Sequence, residues 1–350
     1  MTNNVNPVIP AKRYFSLDEM CELVQISPSQ FAQWQHENGI VVGYGGDRYT
    51  RFDVVKLLKL KDTFAPYVDR FSRDSLDENG QVIDLFQGLD DLENRILQAV
   101  GTAAERFNED ALRIMRGFRF QAALDFDLEQ DTFAAMKDCA PLLEKISVER
   151  IFIEFDKLLL APFWRKGLEA LLTSGAIEFL PDLKGSRAKL ERLFDLASDF
   201  RFSASEQAWA ALLLALDVQN VKGFLKDWKT SREFAKKVED LVEIAAIRSE
   251  RNLTKRDCYD YDIDLLQQAE ELRHAQGLAV DFSAIQNLDA SLTIHNKQEM
   301  AVNGGMLMRE FGFEPGPKLG QILKELEYAI VDGHLPNNLE AIYAYIEEKK

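Results

Sequence analysis

The sequence predicts a mainly all-α protein, and three observations predict it. Beyond residue 100, apolar residues recur at helical spacing in segments such as "WRKGLEALLTSG", "SEQAWAALLLAL" and "REFAKKVEDLVEIAAIRSE", with short turns bearing Gly, Pro or Asp between them. The first seventy residues carry helix-start signals on either side of a glycine-broken, β-prone run. A short strand at 81–86, bounded by turns at Asn79-Gly80 and Gly88, predicts a small β-hairpin near 81–100, because a lone strand has nothing to pair with. The expected divisions are 1–70, 71–100, 101–160, 161–250 and 251–350.

Bulk numbers narrow the function classes. With 350 residues and 46% hydrophobic side chains, the chain can bury ordinary cores. No apolar run approaches the ~20 residues of a membrane span, and "MTNNVNPVIPAKRYF" has no signal-peptide core, so a cytoplasmic location is expected. Cys21, Cys139 and Cys258 are far apart and read as buried thiols; His36, His274, His295 and His334 are equally scattered, so no thiolate or imidazole metal site is expected. A net charge of −16 argues against indiscriminate coating of nucleic acid, which rests on neutralising phosphates. Residues 1–70 are balanced, with eight Lys/Arg and eight Asp/Glu, so the excess lies downstream.

In the first segment, Ser16 and Glu19 make a capping box, and Ser27-Pro28 places a cap before a proline at the first helical position. Gly39 stops the second helix, "VVGYGGDRYTRF" suits a two-stranded wing, and a third helix follows from Asp53. Residues 13–64 therefore resemble the winged helix-turn-helix of MerR and excisionase-like DNA-binding domains, in the pattern Arg48, Tyr49, Phe52, Asp53. The resemblance implies duplex DNA as a partner. Its second helix would read bases through Gln30, Gln33, Gln35 and Asn38, with Lys12, Arg13, Arg48 and Arg51 on phosphate. The alternative is a small helical module that contacts protein.

From residue 84 onward three ordered motifs appear. Asp84, Gly88 and Asp91 are followed by "RFNEDALRIMRGFRF", Arg106 to Phe120, and then by Ser147, Glu149 and Arg150. Together they resemble the bacterial-type CCA-adding enzymes, the tRNA nucleotidyltransferases, over roughly residues 75–350. That resemblance implies a helical neck, body and tail, CTP and ATP as substrates with Mg²⁺, and tRNA as partner. It also implies that Asp110 and Arg113 select the nucleotide while Arg116 and Arg119 assist, with Glu109 in the same motif.

The residues give that role a physical content. On one continuous helix Ala111, Ile114, Met115 and Phe118 form a buried stripe, and Arg113, Arg116 and Arg119 take the opposite side. Asp110 and Arg113, one turn apart, place an acceptor beside a donor fork. Cytosine and adenine offer an amino donor beside a ring-nitrogen acceptor, whereas uracil and guanine offer a carbonyl beside an N–H. Such a pair accepts the first two and rejects the others without a template. The alternative is an exposed ion-pair ladder worth tenths of a kcal/mol per pair, that is about 0.2–0.5.

The metal-binding head of the family is not recognisable. Gly45-Gly46-Asp47-Arg48 imitates its first turn without a following Asp-x-Asp, Asp260, Asp262 and Asp264 fit a helix start better, and Arg73-Asp74 are off register. A catalytically impaired family member is therefore expected, with a DNA-binding regulator and a non-catalytic tRNA-binding protein as alternatives. Two places could touch RNA: "KGSRAKLERL", with Lys184, Arg187, Lys189 and Arg192, or else a solvated face; and "EPGPKLG", where the resemblance points to Gly316, Pro317, Lys318 and Gly320 in a tail that grips the tRNA elbow. Trp164, Trp209 and Trp228 sit among aliphatics and read as core.

Overall fold

The structure, a computed structural model, describes residues 15–24, 26–28, 31, 49, 54, 57, 84 and 88–349. Its contacts divide the chain into two units, Met1–Leu89 and Asp90–Lys350.

In the first unit, helix α1 (Leu17–Val24) starts as its residues dictate. The Glu19 carboxylate accepts from the Ser16 backbone N–H at 2.9 Å, and Ser16 Oγ accepts from the Glu19 N–H at 3.3 Å, which completes the capping box. Met20, Cys21 and Val24 pack with Phe15, Phe31, Tyr49, Val54 and Leu57 in a small core. An antiparallel bridge joins Phe15 to Tyr49. Gln30, Gln33, Gln35, Asn38, Lys12, Arg13, Arg48 and Arg51 lie outside the described residues, so the winged arrangement expected for 13–64 rests on the sequence.

Asp84 explains the spacing of the first motif. Its carboxylate accepts from the backbone N–H groups of Gly88 and Leu89, each at 2.8 Å, and so caps helix α2 (Gly88–Asn94). Of the hairpin expected near 81–100, the first strand lies outside the described residues but for Asp84, and Gly88–Asn94 is helical. Strand β1 (Ile96–Leu97) pairs in parallel with β2 (Asp127–Leu128), Ile96 opposite Asp127 and Leu97 opposite Leu128. A parallel pair needs a crossover, and two helices supply it.

Those helices, α3 (Ala103–Glu109) and α4 (Leu112–Leu124), replace the single helix expected across 105–120. Downstream come α5 (Gln130–Cys139), α6 (Val148–Leu159) and α7 (Trp164–Ser174). The apolar stripe is as expected: Ala111, Ile114, Met115 and Phe118 are buried, and α4 packs on α6 and α7. Gly167 allows the closest approach, since a Cβ there would stand 2.6 Å from the Phe118 carbonyl oxygen and 2.7 Å from Ala122 Cβ. Ser147 sits at the N-cap of α6, but its hydroxyl makes no capping bond. Its carbonyl instead accepts from Arg150 and Ile151, at 3.1 and 3.2 Å.

The chain continues through α8 (Arg187–Leu190), α9 (Ser205–Leu216), α10 (Val221–Asp227), α11 (Arg232–Glu250), α12 (Lys255–Asp260) and α13 (Ile263–Ala275). Helices α14 (Phe282–Ala290), α15 (Gly304–Phe311), α16 (Pro317–Val331) and α17 (Leu339–Glu348) follow. Trp164, Trp209 and Trp228 are fully buried, and Trp209 meets Trp228 edge-on with ring centroids 4.9 Å apart. One carboxyl enters this aromatic core: Asp156 accepts from Ser205 Oγ at 2.8 Å and from Trp209 Nε1 at 3.0 Å. Burial pushes its pKa up. Asp262 caps α13 as expected, and Pro317 opens α16 after Gly316. Cys21, Cys139 and Cys258 are buried free thiols. Among the described residues no single helix is long and apolar enough to cross a membrane.

Candidate nucleotide-recognition site

The site is built where the expected helix fails to continue. Asp110 adopts an extended backbone, φ −150° and ψ 102°, which ends α3. Its short side chain offers the backbone an alternative to the helix: Oδ1 accepts from the Leu112 N–H at 3.1 Å. The other oxygen, Oδ2, accepts from Arg150 NH2 at 2.9 Å, across from α6. Both oxygens are thereby oriented, and each retains a lone pair for a further donor.

Asp110 and Arg113 stand one turn apart, as expected, and their side chains bond different partners. Arg113 bonds Glu109 at 3.3 Å, and Arg106 holds the other Glu109 oxygen at 2.7 Å. Two pairs thus stand side by side, Asp110 with Arg150 and Glu109 with Arg113, and neither Asp110 nor Arg113 is turned into the core. An open hollow of about 470 Å³ adjoins them, its wall including Phe107, Glu109, Asp110, Lys145 and Arg150.

Along α4 the remaining arginines differ. Arg116 is exposed, makes no ion pair with a described residue, and lies 5.9 Å from the Phe120 ring. Arg119 is mostly buried, bonded through Nε to Glu154 at 2.6 Å, with its guanidinium 4.2 Å from the Phe120 centroid. Helix α6 therefore reaches α3–α4 with opposite charges one turn apart: Arg150 to a carboxylate and Glu154 to a guanidinium. Arg150 was legible as part of the third motif, but its bond to a residue forty positions away was not. Glu154 carried no sequence signal.

Other expected sites separate in the same way. Arg187 bonds Glu191 at 3.0 Å. Lys189 donates to the Leu216 carbonyl at 2.8 Å, while Arg192 donates to the Ala215 carbonyl at 3.2 Å and to Asp217 at 2.8 Å. These cations terminate α9, where carbonyls and the negative helix end attract them. Gly316, Pro317, Lys318 and Gly320 are exposed at the start of α16, and Lys318 borders a hollow of about 280 Å³ with Phe313, Tyr345 and Lys349. Asp260 accepts from the Tyr328 hydroxyl at 3.1 Å rather than joining Asp262 and Asp264 in a cluster. Among the described residues no group of three or more His, Cys, Asp or Glu stands where it could hold a metal ion, so they do not fit a Mg²⁺ site.

These features define a helical protein with a polar hollow beside the break between α3 and α4, and two family models match the chain downstream of that break. Residues 200–346 match "tRNA nucleotidyltransferase domain 2 putative", and residues 125–186 match "Probable RNA and SrmB- binding site of polymerase A". The CCA-adding enzyme of Streptococcus sanguinis (strain SK36) is 95% identical over 276 residues, which are 79% of this chain and 69% of that protein. That of Streptococcus pneumoniae (strain ATCC BAA-255 / R6) is 63% identical over the same shares. The solved CCA-adding enzyme of Bacillus stearothermophilus in complex with CTP superposes with a TM-score of 0.73 at 34% identity, covering 78% of this chain and 70% of that one. The chain belongs to the CCA-adding enzyme family.

Proposed function

We propose that this chain selects cytosine and adenine nucleotides by their pairing edges, for transfer to the 3′ end of tRNA. The observation that carries the reading is the Asp110 carboxylate, fixed by the Leu112 N–H and by Arg150 beside an open hollow, with Arg113 one helical step away. The free lone pair of Asp110 accepts from the exocyclic amino group, and Arg113, released from Glu109, donates to the adjacent ring nitrogen. Uracil and guanine turn a carbonyl toward the carboxylate and an N–H toward the guanidinium, leaving both protein groups unsatisfied. Arg116, exposed and without an ion pair among the described residues, meets the negative charge of the nucleotide, and Arg119, fixed by Glu154 and Phe120, lines the same side. The relative solved with CTP and the near-identical streptococcal enzymes support this assignment.

Transfer by this chain alone is impaired under this reading, because the sequence offers no recognisable Asp-x-Asp after a glycine turn.

Two measurements on the full chain test the proposal. Calorimetric titration is expected to show CTP and ATP binding about tenfold or more tighter than UTP and GTP, and Asp110→Asn is expected to erase the preference. Equal affinity for all four nucleotides overturns the recognition role. With labelled CTP and ATP, Mg²⁺ and tRNA lacking its CCA end, incorporation is expected far below that of the Streptococcus sanguinis relative; an equal rate overturns the impairment.

A further inference from the structure

The segment "VKGFLKDWKTSREFAKK", residues 221–237, holds six Lys/Arg against two Asp/Glu in a chain whose net charge is −16. Lys236 and Lys237 are committed, to Asp240 at 2.6 Å and to Glu233 at 3.7 Å. The other four, Lys222, Lys226, Lys229 and Arg232, are exposed, and none makes an ion pair or side-chain hydrogen bond with a described residue. They contrast with Lys189 and Arg192, whose charges are spent on the end of α9.

Placement adds to composition. Lys222 and Lys226 share one face of α10, one turn or about 6 Å apart along its axis. Lys229 follows in the left-handed conformation, φ 56°, and Arg232 opens α11 behind the Ser231 cap. A left-handed turn is where glycine or asparagine costs least. Holding a lysine there sets one more ammonium beyond the end of α10. The buried undersides, Phe224, Leu225 and Trp228, fix the segment to the core, so the four cations stand on a rigid base. Asp227 tempers the patch and faces Asp182, whose pKa is pushed up by burial and by that neighbouring charge.

We propose that the outer face of α10 and its turn into α11 is a phosphate-tracking surface for duplex RNA, engaging a stem of tRNA. This rests on the reading that the chain binds tRNA, and adds the surface that carries the electrostatic part of that binding. Point charges without aromatic or amide partners between them hold a backbone and do not read bases.

The test uses the full chain with tRNA lacking its CCA end, in binding titrations across a series of salt concentrations. Replacing Lys222, Lys226, Lys229 and Arg232 together by alanine is expected to weaken binding at low salt about tenfold or more and to reduce the slope of log affinity against log salt by about three. Lys229→Gly separates charge from folding: it relieves the left-handed backbone, so the fold is kept or stabilised, while tRNA affinity falls. CTP affinity is expected to stay unchanged in both variants. If the quadruple variant keeps wild-type tRNA affinity and slope, this surface is overturned while tRNA binding stands. A wild-type chain that binds no tRNA overturns both. Loss of binding to anionic vesicles with unaltered tRNA binding assigns the patch to a membrane and also overturns the proposal.

Discussion

Two arginine–carboxylate pairs in this protein use the same chemistry at opposite ends of the burial scale. Arg248 and Glu270 join α11 to α13 with side chains 9% and 1% exposed, and Glu270 also accepts from the Asp281 N–H at 3.1 Å. Arg150 and Asp110 join α6 to the break before α4 with side chains 50% and 32% exposed. In the first pair the charges have left water, and what replaces it is each other together with the Asp281 N–H, the Arg251 carbonyl and the Asn252 side chain. In the second, water still competes, so the bond contributes little to stability and serves to orient the carboxylate. The protein places its buried ion pair between two packed helices, and its solvent-exposed one at the break between α3 and α4, where the proposed function puts the base edge.

The largest effect that sharpens this contrast is at the buried pair. Arg248→Met strands the Glu270 charge and frees the Arg251 carbonyl and Asn252 side chain that Arg248 also serves. A loss of about 3–5 kcal/mol is expected, read from urea unfolding followed by helical ellipticity. The double variant Arg248→Met, Glu270→Met is expected to recover most of it, because no unpaired charge remains. A single variant as stable as wild type breaks the comparison.

Legibility in the sequence follows the same division. The stripe Ala111, Ile114, Met115, Phe118, the tryptophan core and the caps at Ser16 and Asp262 were readable because each depends on local spacing. The break at Asp110 was not, since no Pro or Gly marks it and an aspartate inside an apolar period reads as an exposed helical position. Its cause is Leu112 and Arg150 together claiming the carboxylate, and the second of these lies forty residues away. The parallel pairing of β1 with β2 was not legible for the same reason: a strand two residues long carries almost no pattern, and its partner is fixed by how α3 and α4 fold back. The basic segments show the limit from the other side. Lys189 and Arg192 looked free in sequence, and only the position of the α9 carbonyls reveals that they are occupied.

A second, smaller effect tests burial without an ionic partner. Asp156 sits in the aromatic core, held by Ser205 and Trp209, and its pKa is raised by desolvation. A carboxyl with a folded pKa above its unfolded value binds more protons when folded. Stability therefore falls as pH rises from the ordinary carboxylate range through the raised value, and the penalty is complete above it. Asp156→Asn keeps an acceptor for Trp209 and cannot ionise. The difference in unfolding free energy between the variant and wild type is expected to shift in favour of the variant as pH rises across that window. A difference that stays flat with pH shows that the carboxyl titrates alike in both states.

The smallest effect on stability is expected at the exposed pair, and there the consequence moves to recognition. Arg150→Ala removes one donor from Asp110 but leaves the Leu112 N–H on the other oxygen, so unfolding is expected to change by less than about 1 kcal/mol. The carboxylate then keeps its place at the helix break and loses its lateral restraint, and it can swing toward Arg113. Such a closed pair offers neither an open acceptor nor a free donor fork to a base. Affinity for CTP and ATP is expected to fall toward that for UTP and GTP, with little change in melting temperature, and Arg150→Lys is expected to restore part of the preference by returning one cation. If Arg150→Ala instead lowers stability as much as Arg248→Met does, exposure is not what separates the two pairs. Unchanged nucleotide preference would mean that Asp110 needs no brace beyond its own backbone.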